Sequence, residues 1–120
     1  IEFRGWQKTP HDLWSAMTEG QVFVMPSKSE GGPRIALEAM ALGLPLVATR
    51  VGVMPDVLED HENGMFTSGT PADIAAKVRT LLRDESLRAH IAQNAPKILE
   101  NFDGRVLLKG YADFLKSLAS

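Results

Sequence analysis

Residues 22–49 read VFVMPSKSEGGPRIALEAMALGLPLVAT, and this stretch decides the fold. The apolar run Val22–Met25 ends at a proline and a serine, which is typical of a buried strand covered on both faces. Residues 33–42 are rich in Ala, Leu, Met and Glu, so they predict a helix, and Gly43 ends it. A second apolar run, Leu44–Thr49, predicts another buried strand. A strand, a helix and a strand in this order favour parallel pairing.

Strands and helices also alternate in the remainder of the chain. Thr9-Pro10 has the form of a helix N-cap followed by proline, and Thr70-Pro71 with Asp73 resembles a capping box. The predicted elements are a strand at Ile1–Phe3, a helix from Pro10 to Gly20, a short helix after Pro55, a strand at Met65–Thr67, a helix after Thr70, a helix capped by Ser86 and broken at Pro96, and a last helix near Asp103–Leu118.

This order predicts an α/β fold with a doubly wound parallel sheet in three layers, α/β/α. In such sheets ligands bind outside the carboxyl ends of the strands. The predicted ends are Pro26–Glu30 and Thr49–Gly52, so a ligand site is expected there. The 120 residues, 44% of them hydrophobic, suffice for one domain at most.

Composition excludes several classes of function. The net charge of −2 argues against a nucleic-acid-binding surface. The absence of cysteine excludes disulfides and thiolate metal sites and fits a reducing compartment. His11, His61 and His90 lack metal-ligand spacing, so we interpret them as surface residues. We expect no signal peptide, and because the sequence opens with IEFRG, without methionine, we expect a fragment of a longer protein.

Two glutamates flank the turn before the central helix. Gly31 and Gly32 let a ligand approach the backbone, and the helix after Pro33 offers free N–H groups to a phosphate. Glu30 and Glu38 have the wrong sign for phosphate but can accept hydrogen bonds from hydroxyls. A nucleotide-sugar has this layout, with a diphosphate between a ribose and a sugar.

The spacing from Glu30 to Glu38 matches the E-x7-E motif of retaining GT-B glycosyltransferases. The whole segment VFVMPSKSEGGPRIALEAMALGLPLVATRVGVMPDVLEDHENGMF resembles glycosyltransferase group 1, also called family 4, in order and spacing. IEFRGW resembles the strand and glycine that precede the family's first helix in this region. The resemblance covers nearly the whole chain, more loosely after Gly69, and identifies it as part of a Rossmann-like, C-terminal donor-binding domain.

The resemblance implies a reaction and a set of site residues. A sugar moves from a nucleoside diphosphate to an acceptor hydroxyl with retention at the anomeric carbon, without cofactor or bound metal. Glu30 is the residue implied in catalysis, beside the donor sugar, but not as a nucleophile. The other residues implied in donor binding are Gly31, Gly32, Pro33, Arg34, Glu38 at the ribose, Thr49 and Gly52.

Partners and location are also implied by the resemblance. They are a nucleotide-sugar donor and the chain's own N-terminal acceptor domain, which is absent together with upstream strands and a basic pair that clamps the diphosphate. The isolated fragment is therefore expected to be inactive. The full protein is expected in the cytoplasm, in polysaccharide or glycolipid synthesis, with membrane-surface association only through the absent part.

The chain departs from the family pattern at three places. Gly32-Pro33 follows the first motif glycine, where many members have an aromatic residue and then glycine. Gln21 stands where the family has an aspartate, and Val53 stands where a second glycine is usual.

Plainer interpretations stand beside these. Glu30 could be a loop or capping residue, and Glu38, Arg34 and Lys28 could be surface residues. Trp14 and the stripe containing Tyr111 and Phe114 are expected in the core, although the last helix could instead expose its stripe and cause self-association. The competing functions are a different nucleotide-sugar enzyme, such as an epimerase, and a non-catalytic nucleotide- or partner-binding module.

Overall fold

The computed structural model describes the backbone of residues 1–119 and every side chain in that range except those of Leu99 and Ala119. Strands and helices alternate through the first half of the chain, and helices follow in the second half, as the sequence predicts. In chain order the elements are α1 (Pro10–Thr18), β1 (Phe23–Met25), α2 (Arg34–Ala41), β2 (Leu46–Thr49), α3 (Met54–Val57), β3 (Met65–Thr67), α4 (Pro71–Arg83), α5 (Glu85–Asn94), a 3-10 turn (Ala95–Ile98), α6 (Leu99–Phe102) and α7 (Gly104–Ala119).

The three strands form one parallel sheet in the order β1-β2-β3. Val47 is central, since it pairs with Val24 on one side and with Met65 on the other. Parallel neighbours require crossover connections, and α2 and α3 lie in the two connections. Three of the predicted strands are confirmed, those at Val22–Met25, Leu44–Thr49 and Met65–Thr67, although β1 and β2 begin later than the apolar runs do.

Helices cover both faces of the sheet. Leu46 and Ala48 of β2 point to one face, where they pack with Met40 of α2. Val47 points to the other face, where it packs with Leu81 of α4 and Ile91 of α5. This alternation follows from the two-residue period of a strand. The doubly wound, three-layer class is therefore confirmed.

The start of α1 fixes the loop that precedes it. Thr9 and Asp12 form a reciprocal capping box, in which the Thr9 hydroxyl accepts from the Asp12 N–H at 3.1 Å and Asp12 Oδ2 accepts from the Thr9 N–H at 3.2 Å. Further along α1, Met17 packs against Ala39 of α2 and Leu44. These contacts place the loop before α1 beside the first turn of α2.

Two predicted local features are wrong. No strand forms at Ile1–Phe3, where Ile1 and Phe3 are 116% and 94% exposed, because no described strand lies beside them to complete a ladder. Ser86 does not cap α5. Asp84 does so, because its carboxylate accepts from the Leu87 N–H at 2.9 Å, and the helix begins at Glu85, two residues earlier than a Ser86 cap predicts.

The predicted burial of the last helix is also wrong. Its main packing partner is the adjacent α6, and the apolar stripe faces solvent. Its exposed side chains are Val106, Leu107, Leu108, Tyr111, Phe114, Leu115 and Leu118. The radius of gyration, 16.1 Å, exceeds the roughly 14 Å expected of a compact domain of this length. The stripe is thus an exposed apolar surface and not part of the core.

Candidate functional site

The turn between β1 and α2 is tied to the end of β2 by hydrogen bonds. The Ser27 hydroxyl donates to Glu30 Oε1 at 2.9 Å, and the Thr49 hydroxyl donates to the Ser27 carbonyl at 2.6 Å. Thr49 is buried, whereas Glu30 is exposed. Glu30 is therefore oriented by one bond and keeps its second carboxylate oxygen available at the surface.

Gly52 packs directly on this turn. A Cβ at Gly52 would lie 2.7 Å from the Gly31 carbonyl oxygen and 2.8 Å from that of Glu30, and its φ of +54° is one that favours glycine. Around Gly31 and Gly32 the opposite holds, because a Cβ at either would meet no atom within 4 Å. Gly52 thus serves close packing inside the protein, and the two turn glycines leave the backbone open to a ligand.

The first turn of α2 is left without a side-chain cap. Pro33 occupies the N-cap position, one residue before the helix starts at Arg34, and supplies no side-chain hydrogen bond. It is buried, so the turn is anchored at this point. Amides at an uncapped helix start carry partial positive charge and suit an anion.

Glu38 is held by two donors. Its Oε1 accepts from Arg34 Nε at 2.8 Å, and its Oε2 accepts from the indole N–H of Trp14 at 3.1 Å. The Glu38 side chain is only 20% exposed, against 83% for Arg34. The interpretation of Glu38 as an ordinary surface residue is wrong, because its carboxylate is oriented by two elements.

Trp14 was expected in the core, and this expectation is also wrong. The residue is 39% exposed, and its indole N–H donates to Glu38. The two residues are 24 positions apart, so sequence spacing gives no sign of the contact. The only available signal is general, since an indole N–H needs an acceptor when it is partly buried.

Glu38 faces an apolar hollow of about 540 Å³. Trp6, whose ring is 94% exposed, lies on the loop that forms one side of it, and Ile35 of α2 lies on another. We call this depression the apolar hollow. It is lined by Gly5, Trp6, Gln7, Lys8, Thr9, Pro10, Leu13, Arg34, Ile35 and Glu38.

A second depression of about 760 Å³ opens at the carboxyl ends of the strands. We call it the cationic cleft because Lys28, Arg50 and Lys77 line it. Its other lining residues are Pro26, Ser27, Thr49, Val51, Phe66, Thr67, Ser68, Gly69, Thr70 and Asp73. The residues predicted as one site are thus divided, with Arg34 and Glu38 at the apolar hollow and Thr49 at the cationic cleft.

Asp73 organises the wall of the cationic cleft formed by the β3–α4 loop. Its Oδ2 accepts from the Ser68 N–H and from the Thr67 hydroxyl, both at 2.7 Å. These bonds, led by that from Ser68, hold the pKa of the Asp73 carboxyl below its ordinary value of 3.8, and the charge of Lys77 acts in the same direction. The predicted capping box is therefore only half formed, because Thr70 caps the Asp73 N–H while the carboxylate turns to the loop.

The predicted surface positions of the histidines are confirmed, since His11, His61 and His90 are all exposed. His90 Nε2 lies 2.9 Å from Glu62 Oε2, away from both depressions. Among residues 1–119, no group of three or more His, Asp or Glu side chains is placed to hold a metal ion. None of the helices in this range combines the length and the hydropathy of a membrane-spanning segment.

Comparison with known proteins finds glycosyltransferases as relatives. The family model described as glycosyl transferases group 1 matches residues 1–98. The sulfoquinovosyl transferase SQD2 of Arabidopsis thaliana is 41% identical over 98 residues, covering 78% of this chain and 19% of that protein. The uncharacterized glycosyltransferase MJ1178 of Methanocaldococcus jannaschii is 30% identical over 120 residues, covering 99% of this chain and 34% of that protein.

A solved structure agrees in fold. Alr3699/HepE of Anabaena, determined in complex with UDP, superposes with a TM-score of 0.87 at 28% identity, covering 98% of this chain and 32% of that one. The same protein has also been determined with UDP-glucose. The chain spans about a fifth to a third of the length of these relatives. From the family match and the shared fold, we conclude that the chain belongs to the glycosyl transferases group 1 family, with the fold of a GT-B C-terminal domain.

Proposed function

We propose that this chain is the donor-binding part of a retaining glycosyltransferase that moves a hexosyl group from a nucleoside diphosphate to an acceptor hydroxyl. The observation that carries the proposal is the Glu38 carboxylate, fixed by Trp14 and Arg34 at the edge of the apolar hollow. Membership of the family and the UDP complex of a relative support it.

In this proposal the apolar hollow takes the nucleoside. Trp6 presents an exposed ring on which a base can stack, and each stacked base contributes about 1–3 kcal/mol. Glu38 accepts hydrogen bonds from the ribose hydroxyls through the lone pairs that Trp14 and Arg34 leave free. A carboxylate held by two donors suits this role because it does not have to be ordered when the ligand binds.

The diphosphate then lies at the start of α2. The backbone at Gly31 and Gly32 is open, and the first helical turn carries no side-chain cap. Arg34 uses Nε to hold Glu38, so its remaining N–H groups are available to phosphate oxygens beside the ribose. One arginine thus connects the ribose-binding carboxylate with the phosphate-binding helix start.

Glu30 is the residue that we propose beside the transferred sugar. Its carboxylate would accept hydrogen bonds from sugar hydroxyls and stabilise positive charge that develops at the anomeric carbon. In the transfer, the bond from the anomeric carbon to the phosphate oxygen breaks and the acceptor oxygen bonds to the same face. The acceptor proton passes to the departing phosphate oxygen, so Glu30 forms no covalent intermediate and no metal is required by this proposal.

Tryptophan fluorescence tests the proposal directly, because the chain has two tryptophans and both lie at the apolar hollow or contact Glu38. Titration with UDP, GDP and ADP should change the emission, with one base preferred. Glu38→Gln should lower the affinity for the preferred ligand by roughly tenfold or more. Glu59→Gln, on an exposed loop outside both depressions, is the charge-matched control and should bind as the unaltered chain does. Equal binding by the Glu38 and Glu59 variants would refute the ribose role.

The proposal extends to the location and pathway of the full protein, which we place in the cytoplasm, in polysaccharide or glycolipid synthesis. The UDP-glucose complex of HepE supports the choice of a hexosyl donor. Activity of the full-length protein towards an acceptor hydroxyl, with the anomeric configuration read by NMR, tests this extension. Inversion of configuration would refute the retaining mechanism.

A further inference from the structure

The cationic cleft carries an excess of positive charge that the E-x7-E turn does not explain. Lys28 comes from the β1–α2 loop, Arg50 from the end of β2 and Lys77 from α4, and the one acidic side chain lining the cleft is Asp73. Within residues 1–119, none of the three cations forms a salt bridge. The cleft is therefore positively charged, although the whole chain has a net charge of −2.

Asp73 offsets only one of the three positive charges of the cleft. Its Oδ2 is engaged by the Thr67 hydroxyl and the Ser68 N–H, and these bonds hold the β3–α4 loop against the sheet. Gly69 in the same loop lies so close to the end of β2 that a Cβ would meet Thr49 Cγ2 at 3.1 Å. The carboxylate therefore builds the wall, and the cleft keeps three cations against one anion.

Arg50 is oriented by an aromatic ring. Its guanidinium carbon lies 3.7 Å from the centre of the buried Phe66 ring, in a cation–π contact. Stacking occupies the face of the guanidinium and leaves the N–H groups along its edge, which is the geometry that binds two oxygens of a phosphate, sulfate or carboxylate. The contact restricts Arg50 before any ligand arrives.

The position of the cleft connects it with the turn. Ser27 lines the cleft, and its hydroxyl also orients Glu30. A molecule with an acidic group at Arg50 and Lys77 therefore lies beside Ser27, from which it can extend towards Glu30. The apolar hollow has no comparable set of cations, since Lys8 and Arg34 are its only basic side chains and Arg34 is paired with Glu38.

We propose that the cationic cleft is a second binding site, for a phosphate, sulfate or carboxylate group carried by the molecule that reaches Glu30. The carrier is either an acidic acceptor or an acidic donor sugar. Binding of the anion does not depend on the proposed glycosyl transfer, and only the choice of carrier rests on it.

NMR titration of this chain with inorganic phosphate, glucose 6-phosphate and neutral glucose tests the anion site. The two anions should shift the amides of residues 27–28, 49–51 and 67–70, and glucose should not. Lys77→Gln and Arg50→Gln should each lower the affinity for glucose 6-phosphate by roughly fivefold. Lys109→Gln, on the exposed α7, should leave this affinity unchanged. Added sodium chloride should weaken binding further, because exposed charges are screened.

UDP-glucuronate and UDP-glucose then distinguish the carriers. A preference for UDP-glucuronate that Lys77→Gln removes indicates an acidic donor sugar, and equal affinity with retained glucose 6-phosphate binding indicates an acidic acceptor. Absence of shifts at millimolar phosphate, shifts confined to Gly31–Ile35, or equal shifts with glucose would each overturn the proposal. Tryptophan emission reports on the apolar hollow and not on the cationic cleft. The anion titration can therefore be interpreted even if no nucleotide binds.

Discussion

The apolar hollow and the cationic cleft are joined by the segment 26–34, yet they are built in opposite ways. The hollow has a largely apolar lining with one carboxylate, Glu38, which is fixed by donors from α1 and α2. The cleft has a polar wall and three cations from three separate segments, one of them fixed on the ring of Phe66. The first suits a neutral ring with hydroxyls, and the second suits an anion. A single turn can thus present two kinds of ligand chemistry when its flanking residues belong to different elements.

The largest effect is expected at Gly52, where the loop that carries Arg50 and Val51 packs on the turn. Gly52→Ala should lower the free energy of unfolding by about 3 kcal/mol, because the Cβ would lie 2.7 Å from the Gly31 carbonyl oxygen at a positive φ. Urea unfolding measures the change. Gly31→Ala is the matched control, since its Cβ meets no atom within 4 Å and should change stability by less than about 0.5 kcal/mol. Similar losses in both variants would contradict the packing account.

A smaller effect, confined to the apolar hollow, is expected at Trp14. Trp14→Phe keeps an aromatic ring but removes the N–H that donates to Glu38 Oε2, so nucleotide affinity should fall by roughly fivefold. Calorimetry measures it without relying on tryptophan emission. Binding of glucose 6-phosphate at the cationic cleft should stay unchanged. A loss of both affinities in a chain that circular dichroism shows to be folded would mean that the two depressions are not independent.

The stability of the fold should depend on pH through Asp73, which lies in the wall of the cationic cleft. Its folded-state pKa lies below the ordinary value of 3.8, so Asp73 stabilises the fold above about pH 4, and this contribution disappears as the pH falls through the lowered pKa. Asp73→Asn should therefore lower the unfolding temperature at neutral pH, and the difference from the unaltered chain should shrink in acid. Asp113→Asn on the exposed α7 serves as the control. Asp103, whose pKa is lowered to about 2 by Arg105, contributes equally to all three proteins and cancels. A difference that is independent of pH would contradict this role.

The smallest effect on ligands is expected from α7. We propose that its exposed stripe causes self-association, since contiguous apolar surface is unfavourable in water. Leu108→Glu and Leu115→Glu should reduce association in analytical ultracentrifugation and leave both ligand affinities unchanged. A monodisperse monomer at high concentration with low dye binding would refute self-association. A change in nucleotide affinity would show that α7 reaches the apolar hollow.

Local signals predicted most of the sheet. The continuous apolar runs predicted β1 and β2, and the helix starts at Thr9 and Thr70 follow from side-chain caps one turn away. Such features depend on residues close in sequence. The strand prediction at Ile1–Phe3 was wrong for the opposite reason. A strand needs a neighbouring strand, and an alternating pattern of apolar and polar residues does not supply one.

The site could be predicted only in part. The glutamates and turn glycines follow from a contiguous motif, but the contact of Trp14 with Glu38 spans 24 positions and depends on how α1 packs against α2. The cationic cleft draws its charges from segments that meet only after the sheet forms. Burial of α7 was predicted from periodicity alone, which shows that a helix has an apolar face and does not show what covers it.

We propose that Glu38, fixed at the apolar hollow, recognises the ribose of a nucleotide donor. The most direct test is calorimetry of the preferred nucleoside diphosphate and its 2′-deoxy form with the unaltered chain and with Glu38→Gln. We expect that the unaltered chain prefers the ribonucleotide and that the variant loses this preference while still binding the base. If Glu38→Gln discriminates between the two sugars as well as the unaltered chain does, the claim is wrong.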